Sequence, residues 1–189
     1  MNGSKKEIRD EMRQKRKDVS EDGRDEASES LVEKILARPD VCAAIEKRLP
    51  FAVYLATETE LDLEELVQAL WEKDVTVAVP CWDSARKTYI LGAYDNTTTL
   101  VEGDHHVPEP AEVNEINAED IGVWIVPGLA FTRDGRRVGY GGGWYDRLLS
   151  LASKDALLLG VAYPFQIVDD LPMEAHDRQL VDIVVAEEN

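Results

Sequence analysis

Ile121-Gly-Val-Trp-Ile-Val126, closed by Pro127 and followed ten residues later by Arg137-Val-Gly-Tyr-Gly-Gly-Gly-Trp-Tyr-Asp-Arg147, is the stretch on which the fold turns. The first six residues are short, apolar and rich in β-branched side chains, which reads as a buried strand. Gly139, Gly141, Gly142 and Gly143 then remove four side chains from one short stretch. Glycine allows φ > 0 and close approach of the backbone to a ligand. Successive N–H groups can converge on an anion there, helped by the start of the helix expected over residues 141–152. A tight strand-to-helix turn is the plainer alternative, but such a turn needs none of the flanking charges Arg137, Asp146 and Arg147. No Lys-Ser/Thr follows the glycines, so this is not a P-loop, and Trp144 occupies the last glycine position of a dinucleotide fingerprint.

The same alternation extends outward in both directions. Further strands are expected at residues 51–55, 75–79 (ended by Pro80), 89–94, 157–162 and 181–185. Helical spacing appears over residues 5–18, from Ser20 to just before Pro39, and over 61–73. Residues 95–119 are polar, carry Pro108 and Pro110, and read as loop. Strands alternating with helices predict an α/β fold with a mostly parallel sheet covered on both faces. With 189 residues and no composition break, one domain over 1–189 is expected.

The net charge is −17, yet two islands are basic. Residues 5–17 hold seven Lys or Arg against three acids, and 133–147 hold four against two. An acidic protein with local basic islands suits an anionic small ligand. A solvated helix face would explain the first island equally well. The acidic remainder argues against nucleic-acid binding, and it would suit a salt-rich cytoplasm. No apolar run reaches the ~20 residues of a membrane span. The charged N-terminus leads into no apolar segment, so neither signal peptide nor membrane association is expected, and cytoplasmic residence follows. Cys42 and Cys81 are too few for a disulfide framework, and no thiol chemistry is implied. His105 and His106 lack a spaced third ligand, so a metal site there is not expected.

Val126-Pro-Gly-Leu-Ala-Phe131, Asp134-Gly135 and the Arg137–Arg147 stretch together closely resemble the signature of the 5-formyltetrahydrofolate cyclo-ligase family. Lys5-x-x-x-Arg9, Tyr54-Leu55 with Glu60, and Pro172 through His176-Asp177 match further family elements in the right order. The resemblance implies a Rossmann-like three-layer αβα sandwich. It implies ATP-dependent closure of 5-formyltetrahydrofolate to 5,10-methenyltetrahydrofolate, with ATP as co-substrate and Mg²⁺ as cofactor. The protein would act on that small molecule as a monomer or small homo-oligomer. ATP would be held by Lys5 and Arg9, one helical turn apart, and by Arg137, Val138, Gly139, Tyr140, Gly141, Gly142, Gly143, Trp144 and Tyr145. Arg137 would be the phosphate contact, since a guanidinium fork suits phosphate, and Arg137 with Tyr145 would serve the chemical step. The folate would lie against Leu55, Glu60 and residues 140–144, with Glu60 accepting from pterin N–H groups. Outside the family pattern, Glu60 is one more acid in a Glu-rich run. Asp146 and Asp177 match positions associated with Mg²⁺, while Asp146 would also favour a helix N-terminus on its own. Trp144 stands where the family usually has Tyr, Gly142 where some members have Lys, and the step from Asp177 to the next Asp is one residue longer than usual. A non-catalytic folate- or nucleotide-binding protein on the same fold, and an isomerase or acyl transferase on a related scaffold, are the competing readings.

Overall fold

The computed structural model describes residues 4–57, 59–103, 107–172 and 178–187. Among the described residues, five α-helices and eleven strands follow in chain order. Helices α1 (Lys5–Lys17), α2 (Glu21–Leu36) and α3 (Pro39–Glu46) precede strand β1 (Phe51–Ala52) and helix α4 (Glu64–Trp71). Then come β2 (Val77–Asp83), β3 (Thr88–Tyr94), β4 (Leu100–Glu102), β5 (Pro108–Pro110), β6 (Glu115–Ile116), β7 (Val123–Val126), β8 (Ala130–Phe131) and β9 (Arg137–Val138). Helix α5 (Trp144–Ser150) and strands β10 (Leu157–Ala162) and β11 (Asp182–Val185) complete the chain. Capping fixes the first two helices. Ser4 and Glu7 form a reciprocal capping box on α1, and the Ser20 side chain accepts from Gly23 N–H on α2.

One sheet of seven strands runs β11-β10-β7-β1-β2-β3-β6. Its four pairings from β11 to β2 are parallel, and the last two are antiparallel. Side-chain alternation divides the core between the two faces. Val123, Ile125, Phe51, Val77, Leu159 and Val161 pack with Leu31 and Ile35 of α2, Val41 of α3 and Leu66 and Leu70 of α4. Trp124, Val126, Ala52, Ala78, Leu158 and Ala162 pack with Leu148 and Leu149 of α5. The three-layer αβα arrangement expected from the sequence is therefore present. Helix α1 stands apart from these layers: Ile8 and Met12 pack on Leu129, Ala130 and Val138 of the β8–β9 hairpin.

Several boundaries differ from the sequence reading. Strand β2 continues through Pro80 to Asp83 rather than ending there. Ala78 O accepts from Val53 N–H on the β1 side. Alternation aims the Pro80 nitrogen to that same side, where β1 has already ended, so no ladder bond is lost. Strand β1 itself is two residues long, Phe51–Ala52, rather than the five expected. The stretch 95–119 is not plain loop. It carries the small β4–β5 hairpin, the edge strand β6 and a short 3₁₀ turn at Ala118–Asp120. Pro39, read as a stop, also starts α3 at its first position, where a missing N–H costs nothing.

Candidate functional site

The carboxyl ends of β1 and β7 and the N-terminal end of α1 enclose a cavity of about 620 Å³. Crevices beyond the carboxyl ends of parallel strands are the usual ligand sites of such sheets, and this volume is ordinary for a small-molecule site. Lys5, Arg9, Leu55, Glu60 and every residue from Arg137 to Asp146 line it. The structure thus brings together in one wall system residues that lie more than 130 positions apart. Asp177 lies outside the described residues, as do His105, His106 and His176.

The glycine loop forms one wall. Gly141 and Gly143 have φ of 110° and 65°, backbone angles that L side chains rarely adopt. The N–H groups of Gly139 to Gly143 donate no hydrogen bond to any described residue. Five consecutive donors lining a cavity are a ready receptor for an anion. Helix α1 grips the opposite side of the loop through its carbonyls. Arg9 Nε donates to Gly139 O at 2.9 Å, and Arg13 donates to Tyr140 O at 3.2 Å. The i, i+4 spacing puts both guanidinium groups on one helix face.

Arg137 lies at the base of the loop with its side chain only 5% exposed. One nitrogen donates to Pro127 O at 3.2 Å and another to Asp146 Oδ1. Its guanidinium also lies 5.8 Å from the centre of the Tyr145 ring. The expected phosphate contact is thus first of all a clamp on the neighbouring carboxylate. Asp146 keeps 28% exposure at the cavity wall, and the clamp uses only one of its oxygens. No three His, Cys, Asp or Glu side chains are placed to hold a metal ion among the described residues. A Mg²⁺ held mainly by phosphates asks for only one or two protein carboxylates, so Asp146 fits that need.

Glu60 occupies the far wall and is 6% exposed. Its Oε2 accepts from Thr57 N–H (3.1 Å) and Thr57 Oγ1 (2.9 Å), and its Oε1 accepts from the Tyr140 hydroxyl at 2.5 Å. The turn carrying it is pinned by Tyr54, whose hydroxyl donates to Leu61 O at 2.7 Å. Tyr140 therefore links the glycine loop to the Glu60 turn. Burial, and then the nearby Glu60 charge, pushes the Tyr140 hydroxyl well above the ordinary tyrosine range, and the same two causes act on Tyr145. Both phenols keep their protons at neutral pH, and the Tyr140 hydroxyl donates its proton to Glu60.

The sequence reading missed part of the lining. Tyr89 and Pro80 come from β3 and β2, and Trp82 packs edge-on against both Tyr89 and Trp144, with ring centres 5.3 and 4.8 Å apart. Arg147 stacks 4.1 Å over Trp144. This aromatic corner joins a cross-strand pair of β2 and β3, Trp82 opposite Tyr89, to Trp144 at the start of α5, and no spacing in the sequence announces the meeting. Cys81 is buried, with its thiol raised to about 11 by desolvation and then by Glu109.

Residues 1–186 match the 5-formyltetrahydrofolate cyclo-ligase family. The chain is 32% identical over 138 residues to the 5-formyltetrahydrofolate cyclo-ligase of Haemophilus influenzae, covering 71% of this chain and 74% of that protein. It is 29% identical over 178 residues to the Escherichia coli K12 enzyme of the same name, covering 92% and 95%. The solution structure of Aquifex aeolicus 5,10-methenyltetrahydrofolate synthetase superposes with a TM-score of 0.82 at 31% identity, covering 96% of this chain and 89% of that one. A Mycoplasma pneumoniae 5,10-methenyltetrahydrofolate synthetase shares the fold, with a TM-score of 0.76 at 22% identity over 96% and 98% of the two chains. The glycine loop, the Glu60 turn and the α1 arginines thus sit on the scaffold of a known enzyme family, and the chain belongs to the 5-formyltetrahydrofolate cyclo-ligases.

Proposed function

We propose that this chain, acting as one domain over residues 1–189, closes 5-formyltetrahydrofolate to 5,10-methenyltetrahydrofolate at the expense of ATP, releasing ADP and phosphate. The observation that carries this reading is the meeting of the glycine loop and Glu60 in one cavity, joined by Tyr140. A single loop can then touch the phosphates on one side and the folate on the other.

The chemical difficulty lies in the N5-formyl group. It is an amide, and attack by N10 alone would have to expel its oxygen as hydroxide. Transfer of the γ-phosphoryl group breaks the bond between the γ-phosphorus and the bridging oxygen, and forms one from phosphorus to the formyl oxygen. N10 then adds to the activated carbon, phosphate leaves with the former formyl oxygen, and the N10 proton is lost. Phosphoryl transfer asks the protein for alignment and charge neutralisation rather than for a nucleophile. The N–H groups of residues 139–143, with Lys5 and Arg9, would receive the phosphates. Arg137 would hold Asp146 in place. A Mg²⁺ bound to the nucleotide would neutralise phosphate charge, with Asp146 the described carboxylate able to hold it. Glu60 would accept from N–H groups of the pterin, and the Tyr89–Trp144 corner would pack against a flat ring.

The test follows the oxygen. With the formyl oxygen labelled with ¹⁸O, phosphate released in step with ADP should carry the label. ADP release without label transfer would remove the phosphorylated formyl oxygen from the account. Tight binding of both ligands with no ADP would instead favour a non-catalytic binding protein.

A further inference from the structure

Helix α1 buries three side chains, Ile8, Met12 and Arg16, spaced four residues apart on one stripe. Packing alone would put a third apolar residue at position 16. Instead a guanidinium sits there, 4% exposed, with its Nε unpaired among the described residues. A buried charge with an unmet donor is poor value for stability, since well-packed apolar replacements often serve as well or better. Its contacts point to the cavity. Arg16 donates to the Tyr140 hydroxyl at 2.5 Å and to Gly128 O at 2.9 Å, and its guanidinium lies 3.8 Å from Glu60 Oε1.

We infer that Arg16 is a positioning residue for the folate end of the site, orienting Tyr140 and holding the Glu60 carboxylate ready for the N–H donors of a pterin. Arginine can only donate. The Tyr140 oxygen therefore accepts from Arg16, and its own proton is directed elsewhere, onto Glu60 Oε1. A carboxylate has about four acceptor sites. Thr57 fills two on Oε2 and Tyr140 one on Oε1, so what is left for a ligand lies on Oε1, the oxygen nearest Arg16. The same guanidinium ties this array to Gly128, in the turn that leads from β7 into the hairpin carrying the glycine loop. The role assigned to Arg16 rests on the reading of Glu60 as a folate contact given above.

The experiment compares wild type with Arg16→Met and Arg16→Lys. Methionine continues the apolar stripe, while lysine keeps the charge but cannot span Gly128 O and Tyr140 together. Three quantities are measured: the calorimetric Kd of 5-formyltetrahydrofolate without nucleotide, the separate KM values for folate and MgATP, and the melting temperature. Arg16→Met should weaken folate binding by roughly ten- to a hundredfold, the effect of losing hydrogen bonds to a charged group. Its KM for MgATP should stay within about twofold, and Arg16→Lys should fall between it and wild type. Unchanged folate Kd in folded Arg16→Met, or equal loss of affinity for both substrates, would overturn the assignment. So would a variant whose only defect is a lower melting temperature. A wild type that binds folate but does not turn over would sink the catalytic reading alone, and the folate Kd series would still decide the role of Arg16. A wild type that binds no folate would sink both.

Discussion

Breaking the Arg137–Asp146 clamp should cost stability and catalysis together. Arg137→Met removes a hydrogen bond to a carboxylate, worth roughly 1.5–3 kcal/mol, and one to Pro127 O, worth about 1 kcal/mol. Asp146 is then left unpaired but 28% exposed, so water recovers part of its hydration. A total near 3 kcal/mol, the low end of the roughly 3–5 kcal/mol seen on breaking buried pairs, is expected. In a 189-residue chain this corresponds to a fall in Tm of roughly 6–12 °C. Asp146→Asn should cost less, because the amide oxygen can still accept from Arg137. The two side chains touch, so their effects should not add. A double-mutant cycle on thermal and urea unfolding should give a coupling of about 2 kcal/mol. Rates of ADP release at saturating folate should fall in both single variants, since Arg137→Met frees the carboxylate that the proposed function sets beside the phosphates and Asp146→Asn removes its charge. Full additivity in the cycle, or a Tm within 2 °C of wild type in Arg137→Met by the same size scaling, would refute the clamp.

Further outcomes follow from other parts of the molecule. Gly135 has φ +86°, and an added Cβ would stand 2.1 Å from Leu180 O. Gly135→Ala should therefore lower stability by about 2–4 kcal/mol in denaturant titrations while leaving the KM values of the folded enzyme near wild type. Trp144→Ala should weaken folate binding by about 1–2 kcal/mol, read by calorimetry, because it removes one face of the aromatic corner. Burial raises the folded-state pKa of Tyr145 above its unfolded value. Its proton is retained on both sides of the unfolding equilibrium below pH ~10, and stability is lost as pH climbs from there toward the folded pKa. Tyr145→Phe should flatten that alkaline decline by up to about 1.4 kcal/mol per pH unit in urea titrations between pH 9 and 11. The net charge of −17 predicts a Tm that rises from low to molar salt as self-repulsion is screened. A salt-indifferent Tm and activity would remove the salt-rich cytoplasm from consideration.

The parallel half of the sheet was legible because Ile121–Val126 and residues 157–162 are apolar runs that need no partner to be recognised. The antiparallel edge was legible only in part: residues 89–94 were expected as a strand and form β3, but the reversal of direction and the short edge strand β6 were not foreseen. Strand β2 runs through Pro80 only because β1 stops early beside it, a fact of tertiary placement rather than of local sequence. The β8–β9 hairpin and strands β4 to β6 are two or three residues long, too short for any period to show. At the site, the glycine loop was legible from composition, and Glu60, Lys5 and Arg9 from family resemblance. Arg16 carried a signal that could have been used: it falls on the apolar stripe of Ile8 and Met12, where a charge requires a buried partner. The Arg137–Asp146 clamp and the Trp82–Tyr89–Trp144 corner carried none, because each depends on which surfaces the fold turns toward one another.

The most direct test of the account is the ultraviolet absorbance of methenyl-folate formed by purified protein given 5-formyltetrahydrofolate and MgATP, at low and at high salt. The account predicts a rise that requires both ATP and Mg²⁺, matches ADP release one for one, and is lost or strongly slowed in Glu60→Ala and Arg137→Ala. No rise at any salt from a protein shown to be folded, or a rise that proceeds without ATP, would contradict it.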